Sequence, residues 1–599
     1  MENINNKVER ILKRFNAGDH KNAFNEFNNL KIDLNKNNDL LKVYAQMCLK
    51  LGYFEIAVKS FKKIYDKDKN NVENIYKLYS SYIFSGQFEK ARKYIDKLLD
   101  IESKNFKALI DKSYVCFQLK DFLNADKFIK QALSISQKNA FALNIYSLLL
   151  INKFKFNEAI KYLSLAAKID QKYSDTFNNL GKCYFELENI DLAQKYYKMA
   201  LDLNPKSPIY LTNIGNILSL KDKYSEAIDH YKRAIAINQN NYEALSNLAI
   251  CYCRNRDRKN AEKYFKLCIK QKKDDYELQY AYSTLLINMN EFVDAWKYFD
   301  SRLLKKNNHK IVNNLNNVGK NIVARINKKN LESILVLREQ GIGEEILFSS
   351  VYSELIKNHK NIKIETDKRL IDIFNRSFKQ RIFYEEGYFS NNRSKVDKFD
   401  KVIYSGSLLK TYRNSLKDFK NGSYLVASNR SINYFKTKLN ESSSLLKVGI
   451  SWKSVINIYG NLKSLSLEDF YPLFIKNRKI INLQYGDTSK EIEKLNRDGK
   501  KIVDFKDVDL FNDFDSCLGI LKNIDIFITV SNTTAHLAGA LGIPTIIICP
   551  KKSSTYFYWN LDKNNSIWYK NVRVVGLKKT VPDTIIDINN MIENFNDIN

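Results

Sequence analysis

Small and large apolar residues recur at a fixed interval along the first half of the chain. Alanine recurs every 34 positions, at Ala23, Ala57, Ala91, Ala125, Ala159, Ala193, Ala227, Ala261 and Ala295. Four residues after each alanine lies a large apolar residue, such as Phe27 or Phe299. Within each interval the apolar positions follow helical spacing, and Gly18, Gly52 and Gly86 fall where two helices would be joined. The pattern predicts a pair of helices in each interval, repeated about nine times.

This period resembles that of the tetratricopeptide (TPR) repeat. We expect the array to occupy residues 1–309 as an α-solenoid. Because one helix pair cannot bury its apolar face alone, neighbouring repeats stack into a superhelix with a long groove. Such grooves hold an extended peptide or a helix, so a protein or peptide is the expected partner.

The pattern changes after a basic, asparagine-rich linker at 310–330. Short apolar runs then alternate with helical stretches, at Ile334–Leu337, Ile362–Ile364, Val402–Tyr404, Val448–Trp452, Ile480–Tyr485, Ile524–Val530, Thr545–Cys549 and Val572–Val575. This alternation predicts a parallel α/β architecture. We expect two Rossmann-like lobes, 331–445 and 446–599, with a ligand at the carboxyl ends of the strands.

Charge alone would favour a nucleic-acid partner, because the formal net charge is +30. However, the lysines are scattered between acidic residues along the helices, and no nucleic-acid motif is recognisable. Nucleic acid is therefore not the expected partner. An RNA-binding repeat protein remains an alternative, and its affinity would fall steeply with salt.

The cysteines and the termini set the expected compartment. Most of the eight cysteines fall on repeat helices, where free cysteine is an ordinary core residue. They form neither a disulfide framework nor a zinc-binding pattern. The amino terminus lacks an apolar signal core, and no stretch is long and apolar enough to span a bilayer. We expect a cytoplasmic protein without a membrane span.

The first candidate site follows the strand Ile334–Leu337. Gly341 and Gly343 stand there before Glu344 and Glu345, at the start of a helix. The glycines would let the backbone approach a ligand, and a carboxylate at this position would face the cleft. Acidic residues in a first helical turn also stabilise the helix dipole, so that purely structural alternative stays open.

The second candidate site follows the strand Val448–Trp452. Ser451 and Lys453 lie at the end of this strand, and Lys463 lies in the following loop. Hydroxyl and ammonium groups can donate to an anion, and lysine suits a diphosphate as a mobile charge. In so lysine-rich a chain, Lys463 also fits a solvated surface position.

The third candidate site follows the strand Ile524–Val530. Asn532, Thr533 and Thr534 stand at the start of a helix that also carries His536. The N–H groups of such a helix start could hold a phosphate without a metal. Ordinary helix capping explains the same residues equally well, and taken alone His536 favours a structural role.

Four motifs occur in an order that resembles bacterial TPR proteins with a C-terminal glycosyltransferase-B domain of the ADP-heptose:lipopolysaccharide heptosyltransferase type. They are Glu339–Glu345, Val448–Trp452, Asn482–Asp487 and Asn532–Pro544. More distantly, repeats followed by a transferase resemble O-linked N-acetylglucosamine transferase. The resemblance implies a glycosyltransferase that moves a sugar from a nucleotide-sugar donor to a protein acceptor presented by the repeats. Neither a metal nor another cofactor is implied.

Residue roles follow from this resemblance by position. Glu344 matches a general base that takes the acceptor's proton. Lys463 matches a lysine that stabilises the leaving nucleotide diphosphate. The other implied nucleotide-sugar-binding residues are Gly341, Gly343, Ser451, Lys453, Tyr485, Gly486, Asp487, Asn532, Thr533, Thr534 and His536. The lobe at 331–445 would be the acceptor side, and the lobe at 446–599 the nucleotide-sugar side.

The sequence also departs from the heptosyltransferase pattern. Asn532 replaces an aspartate, Glu344 replaces a shorter aspartate, and the first lobe is shorter than a free-standing one. These departures favour an alternative function, a TPR protein-interaction scaffold with a catalytically inactive glycosyltransferase-like tail.

Overall fold

Helix pairs fill the first half of the chain, as the 34-residue period predicts. The structure, a computed structural model, describes residues 4–30, 33–34, 37–305, 322–327, 332–419, 422–439, 445–454, 464–549, 557–559, 564–577 and 580–593. The helices are α1 Ile4–Asn16, α2 His20–Asn29, α3 Asn38–Lys50, α4 Phe54–Lys67, α5 Val72–Phe84, α6 Phe88–Ile101, α7 Phe106–Gln118, α8 Phe122–Ile135, α9 Ala140–Asn152, α10 Phe156–Ile169, α11 Ser174–Glu186, α12 Ile190–Leu203, α13 Pro208–Leu220, α14 Tyr224–Ile237, α15 Tyr242–Arg254, α16 Arg258–Gln271, α17 Tyr276–Asn288 and α18 Phe292–Phe299. All nine periodic alanines are fully buried, which confirms them as packing positions.

Asparagine begins the first helix of many repeats. The side chains of Asn37, Asn71, Asn105, Asn139 and Asn241 each accept a hydrogen bond from a backbone N–H in the first helical turn. Such caps satisfy N–H groups that have no partner within the helix, and each contributes about 1 kcal/mol. The frequent asparagines at these positions therefore have a structural function.

The turn inside each repeat keeps one backbone conformation while its residue changes. Gly18, Gly52 and Gly86 have φ angles of 105°, 81° and 72°. In later repeats a non-glycine residue takes the left-handed conformation at this position, including Phe154 with φ 58° and Asn290 with φ 65°. Packing of the helix pair therefore sets the turn even where the residue itself does not favour it.

The chain divides into two compact units, Met1–Ile217 with Arg233–Gln239 and Leu218–Lys232 with Asn240–Asn599. Within the second unit, the last repeat packs into the α/β half. The indole Nε1 of Trp296 donates to the backbone oxygen of Arg413 at 2.7 Å. Leu303, in the 3-10 turn Asp300–Leu304, joins the apolar core beneath the first sheet.

Each lobe of the α/β half contains one parallel sheet, as the alternating pattern predicts. The first sheet has the order β3-β2-β1-β4, with β1 Ile334–Leu337, β2 Ile362–Thr366, β3 Phe383–Glu385 and β4 Lys401–Tyr404. The second has the order β6-β5-β7-β8-β9, with β5 Leu446–Ser451, β6 Arg478–Asn482, β7 Ile526–Val530, β8 Thr545–Cys549 and β9 Val572–Gly576. All the strand pairs are parallel.

Helices connect and cover these strands. They are α19 Ile342–Phe348, α20 Tyr352–Asn358, α21 Ile371–Phe378, α22 Arg393–Val396, α23 Leu409–Tyr412, α24 Asn429–Leu439, α25 Ser489–Arg497, α26 Phe514–Leu521, α27 Thr533–Leu541 and α28 Val581–Glu593. Helix α24 lies before the expected lobe boundary at 445, yet its Ser431 hydroxyl donates to the backbone oxygen of Asp515 on α26. Within the described residues, no helix combines the length and apolar character needed to cross a membrane.

The cysteines are structural, as their positions on the helices predict. None of the eight, all of which lie in the described residues, forms a disulfide, and seven of them are buried. Burial raises the pKa of Cys183 to about 12 and that of Cys251 to about 11. These thiols therefore stay protonated and behave as small core residues.

Candidate functional site

Residues that follow the carboxyl ends of β1, β2, β5, β6 and β7, together with Tyr558 after β8, line one cavity of about 460 Å³. Parallel strands bring their carboxyl ends to the same edge of a sheet, and both sheets contribute here. The lining residues are Arg338, Gly341, Ile342, Gly343, Glu344, Arg369, Ser454, Tyr485, Leu510, Phe511, Phe514, Ser531, Asn532, Thr533, Thr534, His536 and Tyr558. Among the described residues, the cavity therefore collects polar groups from both lobes.

The turn between β1 and α19 supplies the first-lobe wall. Gly341 precedes the helix in extended conformation, with φ −66° and ψ 162°. A Cβ built on Gly341 would lie 3.1 Å from Oε2 of Glu344, so the glutamate side chain lies back against this glycine. The carboxylate of Glu344 is therefore held at the cavity wall, partly accessible to solvent.

The neighbouring carboxylate, Glu345, has a different environment. It is buried, and its Oε2 accepts a hydrogen bond of 2.6 Å from Nε of Arg338. Its Oε1 accepts from the Thr366 hydroxyl and from the backbone N–H of Asp367. Burial raises the pKa of Glu345, and the Arg338 guanidinium opposes that rise. Glu345 therefore anchors α19, whereas Glu344 is the carboxylate that faces the cavity.

A hydrogen-bond network fixes the strand ends of the second lobe. The Asn532 amide nitrogen donates to the Ser451 hydroxyl at 2.8 Å, and that hydroxyl donates to Oε1 of Gln484 at 2.9 Å. The same Gln484 oxygen accepts from the backbone N–H groups of Trp452 and Lys453. Ser451 therefore lies one layer behind the cavity and positions Asn532.

Asn532 is also the N-cap of α27. Its side-chain oxygen accepts from the backbone N–H of Ala535 at 3.0 Å. The helix then begins at Thr533 on the cavity wall. The first N–H groups of a helix have no intrahelical acceptor and carry the positive end of its dipole, so this wall favours an anion. Ser531, Thr533 and Thr534 line the same wall.

His536 joins the two walls of the cavity. Its Nδ1 lies 2.9 Å from the Tyr569 hydroxyl, and its ring packs against Tyr558 and Trp559. A Cβ built on Gly343 would lie 2.7 Å from Cδ2 of His536, closer than real Cβ atoms approach. Only glycine at 343 therefore allows α19 and α27 to meet in this way.

Burial lowers the pKa of His536 to about 3, so the imidazole is neutral at pH 7. An unfolded histidine has a pKa of about 6.5. Below that pH the histidine binds a proton in the unfolded state but not in the folded state. The free energy of unfolding therefore decreases as the pH falls from about 6.5 towards 3.

This shift predicts that lowering the pH from 7 to 5 reduces the free energy of unfolding by about 2 kcal/mol through His536 alone. The measurement is denaturant unfolding by tryptophan emission, since Trp296, Trp452, Trp559 and Trp568 all belong to the second unit. In the His536→Gln variant the loss between these two pH values should be smaller by that amount. Equal pH dependence in the two proteins would contradict a neutral His536.

Residues that sequence reasoning missed complete the remaining wall. Arg369 forms an ion pair with Asp367, in which Nε donates to Oδ1 at 2.8 Å. Its Nη1 donates to the backbone oxygen of Phe511 at 3.0 Å. Its guanidinium lies over the rings of Phe511 and Phe514. The ring of Tyr485 contacts that of Phe511, with centroids 5.9 Å apart. The position of Arg369 just after β2 could have indicated a site residue in the sequence. No sequence pattern indicates Phe511 or Phe514.

The structure brings together eight of the residues named from sequence: Gly341, Gly343, Glu344, Tyr485, Asn532, Thr533, Thr534 and His536 line the cavity. Four others do not line it. Lys453 pairs with Glu491 at 2.7 Å, and Ser451 lies behind Asn532. After the turn at Gly486, Oδ1 of Asp487 accepts a hydrogen bond from the backbone N–H of Ser489. Lys463 lies outside the described residues. The roles of all these residues remain predictions.

Comparison with known proteins identifies the repeats. Tetratricopeptide repeat models match residues 106–139, 173–240 and 230–263. Protein FlbA of Caulobacter vibrioides is 24% identical over 324 residues, covering 49% of this chain and 51% of FlbA. The chain thus spans about half the length of that relative.

Three solved structures resemble part of this chain. The APC/C hetero-tetramer Cut9–Hcn1 has a TM-score of 0.41 at 17% identity, over 49% of this chain and 58% of that one. PilF of Pseudomonas aeruginosa has a TM-score of 0.32 at 22% identity, over 36% and 97%. YrrB, a TPR protein with an unusual peptide-binding site, has a TM-score of 0.24 at 18% identity, over 32% and 97%.

Proposed function

We propose that the α/β half is a glycosyltransferase-B-like domain that transfers a sugar from a nucleotide-sugar to a protein bound by the TPR repeats. One observation carries the proposal: Gly343 contacts His536, so the turn bearing Glu344 lies beside the first turn of α27 in a single cavity. A candidate base and an anion-binding helix start are thus within reach of one ligand.

The donor would occupy the second-lobe wall. Its diphosphate would accept hydrogen bonds from the N–H groups at the start of α27 and from the hydroxyls of Thr533 and Thr534. The rings of Tyr485 and Phe511 offer an apolar face on which a planar base can stack. No metal is proposed, because a helix start and basic side chains can stabilise a leaving diphosphate.

The acceptor would react across the cavity. The Glu344 carboxylate would take the proton of an acceptor hydroxyl while that oxygen bonds to the anomeric carbon. The bond from this carbon to the diphosphate oxygen breaks, and its electrons leave with the nucleotide diphosphate. Lys463, matched by resemblance alone, would neutralise part of that charge. The neutral His536 would hold the Gly343 turn rather than exchange a proton.

The repeats indicate a protein or peptide partner. Tetratricopeptide repeats present stacked helices to an extended segment or a helix of another protein. We propose that this partner is the acceptor.

The test of a donor site is thermal unfolding of the whole chain, followed by tryptophan emission, against nucleotide diphosphates and nucleotide-sugars. A ligand at 100 times its dissociation constant should stabilise the folded state by about 2.7 kcal/mol. Lys463→Ala should reduce this stabilisation. The matched control is Lys476→Ala, because Lys476 is exposed, precedes β6 and does not line the cavity.

Stabilisation by one nucleotide class would identify the base of the donor. Absence of any shift from a folded protein would remove the transferase proposal. Equal losses of this stabilisation in Lys476→Ala and Lys463→Ala would remove the role of Lys463.

A second candidate function is a TPR scaffold with an inactive tail, and the pairing of the cavity's cations favours it. Arg338 pairs with Glu345 and Glu386, and Arg369 pairs with Asp367. Neither guanidinium is therefore poised to neutralise a diphosphate. A chain that binds a protein through its repeats, yet is stabilised by no nucleotide, would establish this function instead.

A further inference from the structure

A buried arginine of the last repeat pairs with Glu339, just before the candidate catalytic turn. Arg302 lies in the 3-10 turn Asp300–Leu304 that follows α18, and its side chain has no exposed surface. Its Nε and Nη2 donate to the two carboxylate oxygens of Glu339, at 2.7 and 2.8 Å. A bidentate pair of this kind fixes the orientation of both groups as well as their distance.

The remaining donors of Arg302 are also satisfied. Nη1 donates to the backbone oxygen of Phe299 at 2.9 Å and to Oδ1 of Asp300 at 2.7 Å. Nη2 also donates to the Ser407 hydroxyl at 3.2 Å. A guanidinium has five N–H donors, and five acceptors surround this one. Lysine, with one nitrogen, cannot reproduce this set.

Glu339, two residues after β1, is equally constrained. Its side chain has no exposed surface, and its Oε1 also accepts from the backbone N–H of Gly406 at 2.6 Å. A Cβ built on Gly406 would lie 2.7 Å from Nη2 of Arg302 and 2.8 Å from Oε1 of Glu339. The chain after β4 thus closes tightly over the ion pair.

The turn that carries Glu344 is held on both sides. On one side Arg338 binds Glu345, from within the first lobe. On the other side Arg302 binds Glu339, from the last repeat. Only the residues from 340 to 344, including Gly341 and Gly343 of the cavity wall, lie between the two anchored carboxylates.

We propose that Arg302 is a positioning residue: through Glu339 it sets the position of the Gly341–Glu344 turn at the cavity. The structural part of this inference stands on the contacts of Arg302, and its catalytic part rests on the proposed transferase function. The last repeat then acts on the reaction without touching substrate.

A second buried arginine provides a matched control. The side chain of Arg413 is 3% exposed, and its Nη1 pairs with Glu354 at 2.6 Å. Its Nη2 donates to the backbone oxygen of Ser350. Arg413 belongs to the same compact unit, but none of these partners lines the cavity.

The experiment compares Arg302→Lys, Arg413→Lys and the unchanged full-length chain by hydrogen exchange. Arg302→Lys should make the backbone amides of 339–345 exchange about tenfold faster, while those of α27 keep their rates. The second measurement is release of free nucleotide from the nucleotide-sugar that stabilises the chain in thermal unfolding. In Arg302→Lys its kcat should fall roughly tenfold at unchanged nucleotide affinity, because the turn is displaced from its position. Arg413→Lys should change neither quantity. Glu339→Gln, which keeps the size of the side chain, should reproduce the pattern if Arg302→Lys does not fold.

Unchanged exchange of 339–345 in Arg302→Lys and Glu339→Gln would overturn the proposal. Equal acceleration in Arg413→Lys would also overturn it, since the effect would then be general destabilisation. If the unchanged chain transfers no sugar from any donor, the transferase function fails, and the exchange of 339–345 alone decides the role of Arg302.

Discussion

Replacing Glu344 with Gln is expected to lower the rate of sugar transfer by about 10²- to 10⁴-fold, the usual contribution of a general base. The amide keeps the shape of the side chain and its contact with Gly341, but it cannot take a proton. Nucleotide affinity should stay within about twofold, because the proposed diphosphate contacts come from α27. The measurement is release of free nucleotide from the nucleotide-sugar that stabilises the chain.

The control for this substitution is Asp372→Asn. Asp372 is an exposed carboxylate in the first turn of α21, in the same lobe, and it does not line the cavity. The Asp372→Asn variant should transfer sugar at the same rate as the unchanged chain. If Glu344→Gln kept full activity, Glu344 would be no more than a helix-start carboxylate, favoured there by the helix dipole.

Replacing Gly343 with Val is expected to lower activity by roughly 10²-fold and stability by about 1–3 kcal/mol. The added side chain would collide with the His536 ring, which cannot withdraw because Tyr558, Trp559 and Tyr569 surround it. Helices α19 and α27 would therefore have to separate, and the cavity would change shape. Nucleotide release and denaturant unfolding by tryptophan emission measure the two effects.

A double substitution tests the cause of this loss. His536→Ala removes the ring that valine would meet, so Gly343→Val should cost less stability in a His536→Ala background than alone. Additive losses would mean that the two residues do not interact and that the Gly343 contact does not join the walls.

The repeats could be predicted because the same helix–helix packing recurs in every repeat. A residue at a helix crossing must be small in each copy, so alanine recurs at this position nine times. All nine alanines are buried. The strands were predictable where an apolar run was long, as at Thr545–Cys549. Strand β3, Phe383–Glu385, was missed because only Phe383 of its three residues is buried.

The candidate site could be predicted only where a motif is continuous along the chain. Gly341, Gly343 and Glu344 follow a strand of the first sheet, and Asn532 and Thr533 follow a strand of the second. Parallel topology therefore places each group at the carboxyl edge of its own sheet, where ligands bind. Side-chain contacts between segments that are distant in the sequence leave no continuous motif from which they could be predicted. The contact of Arg369 with Phe511 joins residues 142 positions apart, and the ion pair of Lys453 depends on a glutamate 38 positions later.

The packing of the last repeat constrains how such a chain can change its length. A repeat array is approximately one-dimensional, so whole repeats can be gained or lost by duplication and deletion without redesign elsewhere. That freedom should end at the ninth repeat, because Trp296 and Leu303 belong to the packing of the α/β half and Arg302 neutralises Glu339 there. A gene fusion that moved the α/β half to another array would have to carry this repeat with it.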